Sequence, residues 1–366
     1  MVENQSDEAR SRGQEAGFKG GYDEGYLRGR AQSILNIPQE PMPYRPLRIL
    51  YVSSGKGLPY SPLDEAVIHT LQSMVAEVTV TDPRQPIADI AAQMNPDLTI
   101  MLDGMEVPVD QVASIREKGI RTAIWLTDDP YYTDRTSEIV LYYDYVFTLE
   151  LSTVAYYQQL GCPHVYHLPF GAYLEHFRPT TSLSTVRRNI SFIGSGYWNR
   201  IEFLNPILPQ LMSRNLVING IWWDRIPSYA EYQSQIELNK WMGPKETAEV
   251  YSGSKIVLNL HRSHMDDTVN NNRLRIPAVS PNPRTFEISA CGALQLTDIR
   301  DDLANHYIPG VEIETYSSQQ ELVDKVEYYL THEAERREIA LNALKRTLRD
   351  HTYTQRLKQM LAIIFD

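Results

Sequence analysis

Apolar residues arrive along most of this chain in short unbroken blocks, separated by stretches in which apolar positions recur every three or four residues. The first block is LRILYVSS (47–54), which runs into the turn GKGLPYSP. EVTVTD (77–82), DLTIMLDG (97–104), RTAIWLTDD (121–129), YVFTLE (145–150) and HVYHLPFG (164–171) follow. Blocks of this length fit strands buried on both faces. Segments with helical spacing lie between several of them. In STVAYYQQLG (152–161), Ser152 suits an N-cap and Gly161 the residue just past a helix C-terminus. Strands alternating with helices predict βαβ units and a parallel sheet.

The pattern then restarts. AYLEHFRPTTSLSTVRR (172–188) reads as a linker, and NISFIGSG (189–196) is again a strand followed by a glycine turn. LVINGIWW (216–223), the helix PKETAEVYSG (244–253), the strand KIVLNLH (255–261) and ALQLTD (293–298) come next. Pro244 fits a first helical position and Gly253 a C-terminal cap. Ser318 and Glu321 open SSQQELVDKVEYYL as a capping box. Two helical segments close the chain, at about 333–349 and 353–365. The expectation is an α/β protein of two Rossmann-like domains, 46–171 and 172–350, facing each other across a cleft at their strand carboxyl ends.

Residues 1–45 stand apart as an extension with a Pro-rich end, IPQEPMPYRP (37–46), that no helix crosses. Residues 1–12 are polar and expected to fray. Beyond them Gly13, Gly17, Gly21, Gly25 and Gly29 recur every fourth position, with Phe18, Tyr22 and Tyr26 one position on. On a helix each row shares a face. Each glycine costs a helix about 1 kcal/mol relative to Ala. The segment is therefore either a flexible tail or a helix docked on the body or on a second copy, which would make a homodimer.

Composition narrows the picture only a little. A chain of 366 residues suits two domains. A net charge of −11 argues against bulk nucleic-acid binding, which needs clustered Lys and Arg. Cys162 and Cys291 are isolated and read as buried thiols. No run approaches the ~18 apolar residues of a membrane span, and the N-terminus lacks the apolar core of a secretory leader. A cytoplasmic protein is the expectation.

Candidate chemistry concentrates in the second half. In FIGSGYWNR, Gly194, Ser195 and Gly196 follow a strand directly, with Arg200 behind them. Such a turn can offer backbone N–H groups to a phosphate, or be a tight turn and nothing more. The G-x-G-x-x-G spacing is not met. The long loop 261–284 carries Arg262, Arg273, Arg275 and Arg284 at a strand carboxyl edge, where a diphosphate would sit. His261, His264, Asp266 and Asp267 match no common metal spacing. In NPRTFEISACGALQLTD (282–298), a helix beginning near Pro283 and ended by Gly292 carries Glu287 about one turn in. A carboxylate there can accept both vicinal hydroxyls of a ribose, or merely complement the helix dipole. In the first half, Asp128 and Asp129 of WLTDDPYY end a strand at the cleft. Either can act as a general base or cap a turn. Lys56 stands on a second rim loop, SSGKG, within reach of phosphate or acceptor, and His167 is a further catalytic candidate.

Several of these segments resemble one family. KWMGPKETAEVYSGSKIVLNLHRS and NPRTFEISACGALQLTD are similar to the nucleotide-binding half of GT-B glycosyltransferases. NPRTFEISACGALQLTD together with HTYTQRL (351–357) resembles the spore-maturation, CgeB-type glycosyltransferase-like proteins. HLPFGAYLEHFRP (167–179) is similar to the segment that carries such chains between domains. The resemblance implies a nucleotide-sugar donor, a UDP-sugar as first guess, held mainly by the second domain without a metal or other cofactor. It implies Glu287 on the ribose, Gly194, Ser195, Arg200 and Arg284 toward the diphosphate, and Trp241, Met242 and Gly243 beside the base. Arg262, Asn282, Thr285 and Phe286 complete the candidate donor set. Asp128, Asp129 and His167 are the catalytic candidates, the acceptor is an unknown glycan or protein, and helix 351–366 would cross back onto the first domain. Related retaining enzymes carry E-x7-E, but here Val279 stands eight positions before Glu287. The retaining or inverting outcome therefore stays open. A sugar-nucleotide epimerase of the same fold and a non-catalytic nucleotide-sugar or glycan-binding protein of a spore layer are the competing expectations.

Overall fold

The computed structural model describes residues 2–38, 41, 43–180 and 187–366. The first half runs α1 (Val2–Leu35), β1 (Arg45–Val52), α2 (Ser61–Met74), β2 (Val75–Thr81), α3 (Ile87–Met94), β3 (Leu98–Leu102), α4 (Val109–Glu117), β4 (Arg121–Trp125), α5 (Thr133–Ile139), β5 (Tyr145–Thr148), α6 (Leu151–Gln159) and β6 (Val165–His167). The second runs β7 (Arg188–Ile193), α7 (Trp198–Leu204), α8 (Leu208–Ser213), β8 (Leu216–Gly220), α9 (Tyr229–Tyr232), β9 (Ile236–Leu238), α10 (Pro244–Gly253), β10 (Ser254–Asn259), α11 (Pro283–Ala290), β11 (Leu294–Asp298), β12 (Glu314–Tyr316), α12 (Gln319–Thr331), α13 (Glu333–Asp350) and α14 (Tyr353–Phe365).

Each half folds around a parallel six-stranded sheet, in the orders β2-β1-β3-β4-β5-β6 and β12-β11-β10-β7-β8-β9. The apolar blocks are strands: every residue of LTIML in central β3 is buried, whereas EVTVTD and HVYHLPFG form the edge strands β2 and β6, and β2 is largely uncovered. Ile100 lies opposite Ala123, and Ile190 opposite Ile256, so apolar residues meet across the registers. Strand order reverses between β1 and β3 in one sheet and between β7 and β10 in the other. At such points the loops diverge to opposite faces and leave a crevice. Helices cover both faces of each sheet, giving separate cores on either side.

Two crossings join the halves. The chain leaves the first sheet through residues 171–180, and α14 returns to it. Tyr353, Leu357, Met360, Leu361 and Ile364 of α14 are buried against Trp125, Phe147 and Phe170 of the first domain. The crossings touch: Ala172 N donates to His351 O, and Tyr353 N to Ala172 O. Gly171 makes this possible, since a Cβ there would lie 2.5 Å from the Thr352 carbonyl carbon. Part of the predicted linker, 181–186, lies outside the described residues.

The extension is helical from Val2, although its first residues were expected to fray. Its last turns dock on α13, where Leu27, Ala31, Ile34 and Leu35 meet Leu341, Leu344 and Leu348, and Arg30 pairs with Glu338 at 2.6 Å. The glycine row faces open space, with nothing within 4 Å of a Cβ built at Gly13, Gly17, Gly21, Gly25 or Gly29. Phe18, Tyr22 and Tyr26 are 78%, 67% and 61% exposed. Both cysteines are buried and free. Among the described residues no helix is long and apolar enough to cross a membrane.

A nucleotide-sized cleft as candidate active site

A cavity of about 460 Å³ opens between the two sheets at their carboxyl ends, lined from both domains. Its second-domain wall starts at the β7/β10 switch point. The Gly194–Ser195 turn leaves β7 there and is anchored by Trp223 Nε1, which donates to Gly194 O at 2.7 Å. Two guanidinium groups close on this turn. A Cβ on Gly194 would lie 3.0 Å from Arg200 Nη1 and 3.4 Å from Arg284 Cζ, so glycine gives both groups room at this turn.

Arg200 is 2% exposed and donates through Nε to Leu260 O and through Nη1 to Ser195 O, both at 2.8 Å. No carboxylate pairs with it among the described residues. Burial, reinforced by neighbouring Arg284, lowers its pKa to about 9. No hydrogen bond or ion pair among the described residues engages the Arg284 guanidinium. Arg262 lies 4.5 Å over the Tyr131 ring and 4.8 Å over Tyr197, donates through Nη2 to Val269 O, and keeps a buried, unpartnered Nε. Three cations, of which Arg200 is buried and Arg262 and Arg284 half-buried, thus border the cavity without carboxylate partners among the described residues.

α11 presents the next group. Asn282 is its N-cap and accepts from Thr285 N at 3.2 Å. His261 holds the cap in place: its Nε2 accepts from Asn282 N at 2.9 Å while Nδ1 lies 2.5 Å from Asp298. A ring nitrogen that accepts a backbone N–H carries no proton, so His261 is the Nδ1–H tautomer, with its charged form disfavoured first by burial. Glu287 lines the cavity from the next turn. Burial raises its pKa to about 7, against the opposing pull of Arg284.

Most of the candidate donor residues line this cavity: Gly194, Ser195, Arg200, Trp241, Met242, Arg262, Asn282, Arg284 and Glu287. Three do not. Gly243 is the N-cap of α10. Thr285 is fully buried and its Oγ1 accepts from Asn259 Nδ2, while Phe286 packs against Tyr307 and His351 beneath the wall. The loop arginines also divide. Arg273 pairs with Asp134 and Arg275 with Asp267 on the outside, which removes them from a diphosphate role. The loop is chiefly a bridge between domains, through Asn271 N to Tyr131 O, Asp134 N to Asn271 O and Thr133 Oγ1 to Asn272 Oδ1.

On the first-domain wall the catalytic candidates differ in what their atoms already do. Asp129 is buried and accepts from Thr148, Tyr157 and Thr136. Burial raises its pKa to about 6, and these hydroxyls occupy its lone pairs. Asp128 lines the cavity with Tyr60 OH donating to its Oδ2 at 2.7 Å, and burial raises its pKa. His167 is not a cavity residue: its Nε2 lies 3.1 Å from Leu149 O and 3.1 Å from Ser280 Oγ, bracing the two domains. Glu150, missed in the sequence, reaches across from β5 to accept from Val279 N and Ser280 N at 3.1 Å. It also accepts from Ser152 N, which makes Glu150 rather than Ser152 the N-cap of α6. Tyr173, His176, Tyr251 and Tyr353 also line the cavity and carried no signal beyond being aromatic. Among the described residues no group of three or more His, Cys, Asp or Glu is placed to hold a metal ion.

Two facing Rossmann-like halves with a cleft at their switch points give the chain the GT-B architecture. Solved structures share the architecture at low sequence identity. A glycosyltransferase from Rickettsia africae superposes with a TM-score of 0.61 at 12% identity, covering 88% of this chain and 100% of its own. Anabaena HepE, solved in complex with UDP-glucose, gives 0.60 at 12% identity over 87% and 99%. A UDP-N-acetylglucosamine 2-epimerase of Listeria monocytogenes, itself assigned only provisionally, gives 0.55 at 9% over 87% and 96%. The chain belongs to the CgeB family of glycosyltransferase-like proteins: it is 30% identical over 321 residues to the spore protein CgeB of Bacillus subtilis, across 87% of this chain and 98% of that one. The glycosyl transferase-like family model matches residues 200–362, the half that carries the arginines and Glu287.

Proposed function

We propose that this enzyme transfers a sugar from a nucleotide-sugar donor, a UDP-sugar in the first instance, to a hydroxyl of a glycan or protein acceptor in the cytoplasm, without a metal. One observation carries the proposal. Arg200 and Arg284 converge on the Gly194 turn without carboxylate partners, one turn from Glu287, in a cavity shared with Asp128. Guanidinium groups of this kind match a diphosphate and can stabilise it as it departs, the task a metal ion performs elsewhere. Glu287 accepts the ribose hydroxyls, and Trp241, 54% exposed beside Met242, borders the base. Asp128 accepts the proton of the acceptor hydroxyl as that oxygen bonds to the anomeric carbon and the bond from this carbon to the diphosphate oxygen breaks. HepE, a neighbour in fold, was solved with UDP-glucose, which supports the choice of base.

The test is calorimetry of the protein with UDP, other nucleoside diphosphates and a panel of nucleotide sugars, with and without EDTA. Binding of at least one sugar nucleotide, unchanged by EDTA, is expected, and binding of none would overturn the donor site. An epimerase needs more free acids and bases in the cleft than this one holds, since Asp129 and Glu150 are already saturated. Release of UDP from UDP-glucose separates a transferase from a pure sugar-nucleotide binder of a spore layer. We also propose that the exposed glycine and aromatic rows of α1 pair two copies of the chain. Light scattering of the full chain and of Tyr22→Glu should then read dimer and monomer.

A further inference from the structure

Behind Asp128 lies a chain of polar groups that the transfer reaction, as written, leaves without a task. Asp103 directly follows β3, is fully buried and holds a left-handed backbone at φ +68°. Its Oδ1 accepts from Thr127 Oγ1 at 2.5 Å. Its Oδ2 meets Lys56 Nζ at 2.6 Å, an ion contact rather than a well-directed hydrogen bond. Thr127 Oγ1 is also 3.2 Å from Asp128 Oδ2, so the hydroxyl spans both carboxylates while donating mainly to Asp103. From the other side Tyr60 OH donates to the same Oδ2 at 2.7 Å, and the Lys56 ammonium sits 4.6 Å over the Tyr60 ring. Lys56, expected on the rim as a contact for phosphate or acceptor, is drawn inward instead. Lys56 and Asp103 follow β1 and β3, the two strands that flank the switch point of the first sheet.

We propose that Tyr60 and the Lys56–Asp103 pair are positioning residues that fix the Asp128 carboxylate and set its charge. The inference rests on reading Asp128 as the base. Both contacts fall on Oδ2, which fixes the rotation of the carboxylate. No hydrogen bond from the described residues falls on Oδ1, so that oxygen is left for an acceptor hydroxyl. Burial and Asp103 favour the neutral acid, whereas Tyr60, Lys56 and Arg262 favour the carboxylate. Saturated Asp129 adjoins it in sequence. A burial penalty is thus offset in part by a phenol and an ammonium whose own charge is balanced by Asp103. Removing one member tips the balance in a direction set by its sign.

The test follows carboxyl carbons by NMR in full-length protein labelled with 13C at aspartate, where the signal missing from Asp128→Asn identifies Asp128. Tyr60→Phe and Lys56→Met should each raise its apparent pKa by about one unit. Asp103→Asn should lower it, because Lys56 loses its counter-charge, and Lys56→Arg should restore the wild-type titration. General loosening of the site would not move Lys56→Met and Asp103→Asn in opposite directions. An Asp128 titration unchanged in Tyr60→Phe and Asp103→Asn overturns the inference, and these two variants decide it even if Lys56→Met fails to fold. The titration needs neither donor nor acceptor, so it is separate from the base assignment. That assignment falls if Asp128→Asn releases UDP from UDP-glucose at the wild-type rate.

Discussion

The two walls of the cleft treat charge in opposite ways. The second-domain wall holds Arg200, Arg262 and Arg284 without carboxylate partners, although burial already costs Arg200 part of its affinity for a proton. The first-domain wall is rich in carboxylates, yet Asp129, Glu150 and Asp103 are consumed by hydroxyls, backbone N–H groups and Lys56. Groups left without partners in an otherwise satisfied interior mark where a ligand completes the structure. By that measure one wall is preorganised for an anion, and the other is architecture around a single available acid, Asp128.

The contrast can be broken in four places. The largest effect should come from Asp128→Asn, which should slow UDP release from UDP-glucose by about 10²–10⁴-fold and leave UDP affinity unchanged by calorimetry. A loss of affinity would show that the first wall also binds the donor. Next, Glu287→Ala should weaken UDP by roughly 10–150-fold, the worth of hydrogen bonds to a charged group. Since the Glu287 pKa is raised to about 7, its proton must leave before the carboxylate accepts both ribose hydroxyls. Wild-type affinity should therefore rise between pH 6 and pH 8, and Glu287→Gln should flatten the curve. The sign reverses for the empty protein. Its folded state keeps a proton that the unfolded chain has lost between the ordinary glutamate value and about pH 7, so stability falls as pH rises through that window. Thermal melts of Glu287→Gln should lack this fall. Third, Arg284→Ala should cost UDP about tenfold and uridine nothing, because only the former carries phosphates. The smallest effect is expected from His167→Ala: about 1 kcal/mol of stability in a denaturant titration, with UDP affinity intact. A change in affinity there would return His167 to the site.

Much of this was legible in local pattern. The apolar blocks located ten of the twelve strands, and Pro283, Gly292 and the glycine turn after β7 fixed the limits of the donor wall. β9 (IEL) and β12 (ETY) each carry a Glu within three residues and so form no apolar block, unlike the equally short β6. What the pattern cannot carry is partnership between distant residues. Asp128 and Asp129 are chemically identical neighbours, and only the approach of Tyr157 and Thr148 to Asp129 distinguishes the engaged carboxylate from the one proposed as base. The same holds for the four arginines of the bridge loop, where Asp134 and Asp267 remove two from the site. Glu150 was invisible because its partners, Val279 and Ser280, lie in the other domain and are backbone groups.

The return of α14 has a consequence for how the molecule is made. The core around Trp125 and Phe147 is finished by Leu357, Met360 and Leu361, residues synthesised only after every strand of the second sheet. During translation the first domain therefore waits with an open apolar face, while the domain behind it can already close. The order of completion is the reverse of the order of synthesis, and damage to the last turns of the chain is felt at its opposite end.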